Sequence, residues 1–167
     1  MEKTGTLSKG LKGKGVLLAK RMCENIKDQL VISAEVNTLY TNENQNAEID
    51  TELIRALKPE EEHFLTEVMS HIELNWSEPS FNADSFSRDL GYSKSFLYRR
   101  LIRLTGKAPS NFIKEFRLHK ALMLLHDQKG SIAEVAIKTG FKSSSYFSKC
   151  FFDKYSILPS KYIQQHT

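Results

Sequence analysis

Residues 131–163 read SIAEVAIKTGFKSSSYFSKCFFDKYSILPSKYI. Ser131 and Glu134 stand three positions apart at the start of an apolar run, the spacing in which serine and glutamate cap a helix start reciprocally. The pattern predicts a helix over Ile132–Thr139. Gly140 follows where that helix must stop, because a left-handed residue after a helix carries no Cβ penalty when it is glycine. A second helix is expected to begin behind Ser143 and run to about Tyr155. Helix, glycine turn, helix is the helix-turn-helix pattern, whose second helix lies in the DNA major groove.

The same pattern occurs earlier in the chain. Leu90-Gly91-Tyr92 matches Thr139-Gly140-Phe141, Phe96-Leu97 matches Tyr146-Phe147, and Leu101 matches Phe151. Pro109-Ser110 and Phe112-Ile113 match Pro159-Ser160 and Tyr162-Ile163. The offset is 49 at the glycines and 50 afterwards, so the second copy has one extra residue near its turn. In the first copy Asn82 is a helix cap for Ala83–Leu90, and Ser93 caps a helix to about Thr105, closed by Gly106.

Between the copies, Pro109 to His126 reads as one helix. Phe112, Ile113 and Phe116 form one stripe; Leu118, Ala121, Leu122 and Leu125 form another. At about 100° per residue, Phe116 and Leu118 point to nearly opposite sides. One end of the helix can therefore pack on the first unit and the other on the second. Its length of about 27 Å is close to the roughly 34 Å between successive major-groove faces, so one chain can present two recognition helices to one side of a duplex without dimerising.

Upstream, Pro59 opens a helix whose first turn carries Glu60, Glu61 and Glu62 at the positive end of the dipole. Phe64, Leu65, Val68, Met69, Ile72 and Trp76 form its apolar stripe, and Pro79 ends it. Residues 1–15 read as a flexible glycine- and lysine-containing stretch. Val16–Leu30 has helical spacing, Leu30–Val36 reads either as its extension or as a short strand, and the polar Thr38–Asp50 reads as a linker. The expected organisation is an N-terminal extension over 1–58, partly disordered, and a DNA-binding domain over 59–167. Within that domain the first helix-turn-helix spans about 83–105, the linker helix 109–126 and the second helix-turn-helix about 132–155. The fold class is all-α, two homeodomain-like three-helix units joined by a central helix.

Charge supports a polyanionic partner. The net charge is +4, divided as +5 over residues 1–27, −10 over 28–82 and +9 over 83–167. The basic block coincides with the repeated units. The acidic block suits a protein partner or a reversible mask over the basic domain. Hydrophobic content of 40% supports a buried core, and no apolar run approaches the roughly 20 residues of a membrane span. Two patternless cysteines, Cys23 and Cys150, and no signal-peptide pattern favour a cytoplasmic setting.

Residues 63–163 resemble the DNA-binding domain of the AraC/XylS family of bacterial transcription regulators. The resemblance rests on Ile132-Ala133-Glu134-Val135-Ala136, Gly140-Phe141, Ser145-Tyr146-Phe147-Ser148-Lys149, Phe151 and Pro159-Ser160-Lys161-Tyr162 in the second unit. In the first it rests on Leu90 to Arg99, and in the linker helix on Phe112-Ile113 and Arg117-Leu118. The detail is similar to the output domain of hybrid two-component regulators of Bacteroidetes type. The 62 residues before the domain are too few for a receiver or a sugar-binding barrel, so the chain reads as a short regulator or as the C-terminal piece of a longer one. Ser156 stands where the family usually has glycine and Ile163 where arginine is common. Phe152 and Asp153 replace positions that are often basic.

The resemblance implies base contacts from Ser95, Tyr98, Arg99 and Ile102 in the first recognition helix and from Ser144, Ser145, Ser148 and Lys149 in the second. Arg99 is the strongest candidate, because a guanidinium grips guanine O6 and N7 with two bonds. The second face, three serines and one lysine, suits backbone, water and phosphate contacts better than bidentate readout. Phosphate contacts are expected from Ser93, Lys94, Arg100, Arg103, Lys107, Lys142, Ser143 and Lys161, with Ser143 better read as a helix cap. Phe86, Leu90, Leu97, Leu101, Phe141, Phe147, Phe151 and Tyr162 are core by spacing. The implied partners are double-stranded DNA and, for an activator, RNA polymerase. A monomer suffices, and a dimer would need an interface from a longer parent chain.

No catalytic residue, cofactor or metal is called for. None of the five histidines pairs at zinc spacing, and Gly10 to Gly15 is followed by Val16 where a phosphate loop needs lysine. The competing reading is a helical protein-interaction module, or a regulator fragment without DNA binding of its own.

Overall fold

The structure, a computed structural model, describes residues 30–32, 38 and 54–165. The glycine- and lysine-containing stretch 1–15, the expected helix over 16–30 apart from Leu30, and the polar linker over 38–50 apart from Thr38 lie outside the described residues. Among the described residues two strands and seven helices follow in order: β1 (Leu30–Ile32), β2 (Ile54–Ala56), α1 (Pro59–Asn75), α2 (Ala83–Asp89), α3 (Lys94–Thr105), α4 (Pro109–His126), α5 (Ile132–Lys138), α6 (Ser144–Tyr155) and α7 (Pro159–Gln165). The all-α class holds for the repeated domain, with the two short strands outside it.

The chain divides into two compact units. In the first, which runs to Glu67 and takes in Leu104–Gly106, β1 and β2 pair in parallel with Leu30 opposite Ile54 and Ile32 opposite Ala56. Leu57 N donates to Ile32 O at 3.0 Å, carrying the ladder one step further. Leu30 is thus in a short strand, one of the two forms its sequence allows. The pairing with Ile54–Ala56 was not legible, since it joins segments on either side of a polar stretch. Glu61 is buried, accepts from the backbone N of Lys58 at 3.3 Å, and meets the Arg55 guanidinium at 3.5 Å. It caps α1 from within and ties it to β2.

The second unit, Val68–Arg103 with residues from Lys107 onward, holds the repeat. Around α2, Phe86 is fully buried; the Phe81 ring meets it edge-on at 5.2 Å, and the His71 ring stacks on it at 5.8 Å. Asn82 closes the capping box with Ser85. Leu97 and Leu101 are fully buried, whereas Leu90 is half-buried.

The second copy packs Val135, Ala136, Phe141, Phe147, Cys150 and Phe151 against Leu118, Ala121 and Leu125 of α4. Tyr162 and Ile163 of α7 lie against this core, with the Tyr162 ring 6.0 Å from Phe151. Each large apolar side chain so buried stabilises the fold by about 1.5–3 kcal/mol. The two stripes of α4 are both buried, at Phe112 and Ile113 and at Leu118, Ala121 and Leu125, and α4 touches α2 on one side and α5, α6 and α7 on the other.

The repeat extends to individual hydrogen bonds. Gly91 N donates to Arg88 O and Tyr92 N to Ser87 O; Gly140 N donates to Ile137 O and Phe141 N to Ala136 O. These paired bonds are the same C-terminal cap in both copies. Ser93 Oγ then accepts from Phe96 N at 3.2 Å, and Ser143 Oγ from Tyr146 N at 3.3 Å. Tyr92 corresponds to Phe141 and Ser93 to Ser143, which identifies the extra residue of the second copy as Lys142.

Candidate nucleic-acid interface

The second helices of the two units, α3 and α6, start the same way. A serine side chain accepts from the backbone N of the third residue on, and polar side chains of the next turn are exposed. In α3, Lys94, Ser95, Tyr98, Arg99, Ile102 and Arg103 are exposed. Tyr98 is 50% and Ile102 38% accessible, while Leu97 and Leu101 point inward. The helix period of 3.6 residues separates the two sets. In α6, Ser144, Ser145 and Lys149 are exposed and Ser148 is half-buried; Phe147, Cys150 and Phe151 are the inward set. Tyr146, not singled out as a contact in the sequence, is exposed beside the serines at 55%. Its outward direction follows from the same period that turns Phe147 in.

The expected phosphate contacts separate into two groups. Lys142, the residue inserted into the second turn, is exposed, as are Ser93, Ser143 and Lys161. Both serines are occupied as helix caps, and Lys161 Nζ donates to Gln164 Oε1 at 3.2 Å. Lys94 pairs with Asp84 at 2.8 Å but stays exposed, so its charge remains at the surface. Arg100 is half-buried, its guanidinium 5.9 Å from the Phe96 ring centre. Lys107 differs from the rest. Its side chain is only 16% exposed and its ammonium lies 2.7 Å from Glu115 Oε2. The adjacent carboxylate offsets its charge and turns it into a structural tie.

Two residues of α4 organise the site from behind. Glu115 Oε2 also accepts from Lys154 Nζ of α6, at 2.5 Å. Burial pushes the Glu115 carboxyl up, but the hydrogen bonds from Lys107 and Lys154 outweigh it and hold the group below the usual carboxylate range. Arg117 donates from Nε to Trp76 O at 2.7 Å and from Nη2 to Glu78 O at 2.6 Å and Phe81 O at 3.0 Å. Burial lowers its affinity for the proton, and the three carbonyl dipoles face its charge. An open cleft of about 380 Å³, lined among others by Asn82, Lys114, Arg117, Lys142 and Tyr146, lies beside this network.

The geometry agrees with comparisons to known proteins. A family model described as a helix-turn-helix domain matches residues 86–165. The chain is 35% identical over 107 residues to Histidine kinase P4 of Formosa agariphila, covering 64% of this chain and 8% of that protein. It is 30% identical over 113 residues to the HTH-type transcriptional regulator MtrA of Neisseria gonorrhoeae, covering 68% of this chain and 37% of that one. The chain thus spans well under half the length of these relatives.

Among solved structures, it resembles an AraC-type transcriptional regulator from Chromobacterium violaceum at 29% identity and TM-score 0.60, covering 66% of this chain and 97% of that one. It also resembles the DNA-binding domain of AdpA in complex with a target DNA, at 26% identity and TM-score 0.57, covering 60% of this chain and 89% of that one. With two capped helix-turn-helix units on one linker helix, the chain carries a helix-turn-helix domain over residues 86–165 that is similar to AraC-type DNA-binding domains.

Proposed function

We propose that the chain is a sequence-specific DNA-binding transcription regulator of AraC/XylS type that places α3 and α6 in successive major-groove faces of one duplex. The observation that carries this reading is the repeated cap–helix geometry, which turns a polar or basic face outward from each of two unlike reading helices. The likeness to the AdpA domain, solved in complex with a target DNA, and to regulators such as MtrA supports it over a helical protein-interaction module.

Ser95, Tyr98, Arg99 and Ile102 are the proposed base contacts of α3. Ser144, Ser145 and Lys149 are those of α6, with the half-buried Ser148 at the margin. Lys94, Arg100, Arg103, Lys142 and Lys161, with Ser93 and Ser143 at the helix starts, face the backbone phosphates. Lys107 drops out of that set because Glu115 holds it. A single chain supplies both reading helices, so a monomer suffices. Activation would proceed through contact with RNA polymerase, as is usual for this family. Likeness to a segment of a histidine kinase supports a place downstream of a phosphorylation-driven sensor.

Selection of bound sequences from random DNA, followed by mobility shifts at several salt concentrations, tests the reading. A selected bipartite site and an affinity that falls with salt are expected. No selected sequence, or a flat salt response, would remove it.

A further inference from the structure

Glu115 occupies one position in the linker helix and holds two lysines that belong to different halves of the repeat. Lys107 lies two residues beyond the end of α3, and Lys154 lies in the last turn of α6. One carboxylate oxygen, Oε2, serves both ammonium groups, at 2.7 and 2.5 Å. The chain closes a contact between residues 39 apart at a site where Glu115 is 20% and Lys154 38% exposed. Two residues further along α4, Arg117 binds three backbone carbonyls of the segment leading into α2 and borders the second turn at Gly140. Residues two apart on a helix point about 200° apart. The linker helix is therefore fastened on two sides: Glu115 ties residues from both helix-turn-helix units, and Arg117 bonds to the segment before the first and lies close to the turn of the second.

We propose that Glu115, held between Lys107 and Lys154, is a specificity-determining positioning residue that fixes the separation of the two reading helices and hence the half-site spacing the protein accepts. The inference rests on the DNA-binding reading of α3 and α6. The carboxylate touches no reading residue. It acts through α6, whose last turn it anchors, while the α3 end is anchored through Lys107. Arg117 adds a second polar tie beside the apolar packing of α4, so loss of Glu115 removes one of the two polar ties and the only one of them that bonds to α6. Spacing matters because one inserted base pair moves a half-site by about 3.4 Å along the axis and about 34° around it. A rigid pair of reading helices cannot follow that displacement, and a loosened pair can.

The test uses the full 167-residue chain with a selected operator and versions carrying one or two base pairs added or removed between half-sites. Wild-type affinity should fall by about tenfold or more for a one-pair change, the size of a lost base contact. Glu115→Gln, which preserves shape and removes charge, should flatten that profile to about two- to threefold and leave the sequence preference within each half-site unchanged. Lys154→Gln should flatten it likewise, and the double variant should add little to either.

A uniform loss of affinity with the wild-type spacing profile would overturn the proposal, since a merely stabilising residue acts that way. A DNA-free measurement separates this failure from failure of the DNA reading. Spin labels at Ser95 and Ser145, in a background with Cys23→Ser and Cys150→Ala, should give a narrow distance distribution that broadens in Glu115→Gln. An unchanged distribution overturns the clamp alone; absence of selective DNA binding by the unaltered chain overturns the spacing role together with the DNA reading.

Discussion

Arg117 Nε lies 2.8 Å from the point where a Cβ on Gly140 would stand, and Trp76 O lies 2.9 Å from that point. Gly140 is therefore required twice over. Its backbone is left-handed, with φ 75°, and the space its side chain would fill is occupied by a guanidinium already bonded to that same carbonyl. Gly140→Ala should destabilise the domain by at least ~2 kcal/mol, from left-handed strain and displacement of the Arg117 network. Gly91 has the corresponding φ of 71° and open space around it, so Gly91→Ala should cost only about 1 kcal/mol. Denaturant melts of the two variants check the difference. Equal losses would mean that Arg117 gives way freely.

Ser156 shows the same backbone demand without the glycine. It caps α6 with φ 57° and ψ 21°, and its N donates to Phe152 O at 2.7 Å. The serine is exposed, so its side chain gains little burial to offset the strain. Ser156→Gly should raise stability by about 0.5–1 kcal/mol, read as an upward shift in denaturant midpoint at constant slope.

Low pH should act on Glu115. Its carboxyl titrates below the ordinary range because two lysines hold the charged form. A depressed folded value means that the contribution is fully present above the unfolded-state value and disappears as pH falls through the folded one. Glu115→Gln should be less stable than wild type by about 1–2 kcal/mol at neutral pH, and the two should converge as the solution is acidified into that range. A gap that persists unchanged into acid would show that packing, not charge, holds Glu115 in place.

The two classes of proposed DNA contact should respond differently to alanine. Arg99→Ala should relax preference at one base pair by about 1–3 kcal/mol. Lys142→Ala should weaken all sequences alike and reduce the salt slope by about one. Binding to a panel of single-base operator variants, at two salt concentrations, separates the outcomes.

What the sequence revealed followed from local rules. The Ser131–Glu134 cap, the glycine turns, the opening of α1 at Pro59 and the two stripes of α4 each rest on residues within a turn or two of one another. The one-residue difference between the repeats was visible as a change of offset, and its assignment to Lys142 needed only the matching caps at Ser93 and Ser143. The helix over Pro159–Gln165 was implied by the match of Pro159-Ser160 to Pro109-Ser110 but not read as a helix in its own right.

Contacts between distant segments were hidden. Nothing in the spacing of Glu115 and Lys154, or of Arg117 and Trp76, marks them as partners, because charged residues every few positions are ordinary on helix surfaces. The Lys107–Glu115 pair was hidden for the same reason: a lysine after a helix reads as a phosphate contact, and its carboxylate partner appears only in the structure. Ser156 was visible as a departure from the family pattern, but its cost appears only once the left-handed backbone is known.

Because Lys142 is present in one turn and not the other, and because Arg99 has a serine-rich counterpart, the two halves of the domain are not interchangeable. A two-fold dimer reads the same in both directions along a duplex; a chain that reads DNA through α3 and α6, as proposed, would not. Bound as a monomer it would have a head and a tail, and its operator would be an arrow rather than a palindrome. Inverting that operator in front of a promoter would present the opposite end of the protein to whatever is bound next to it.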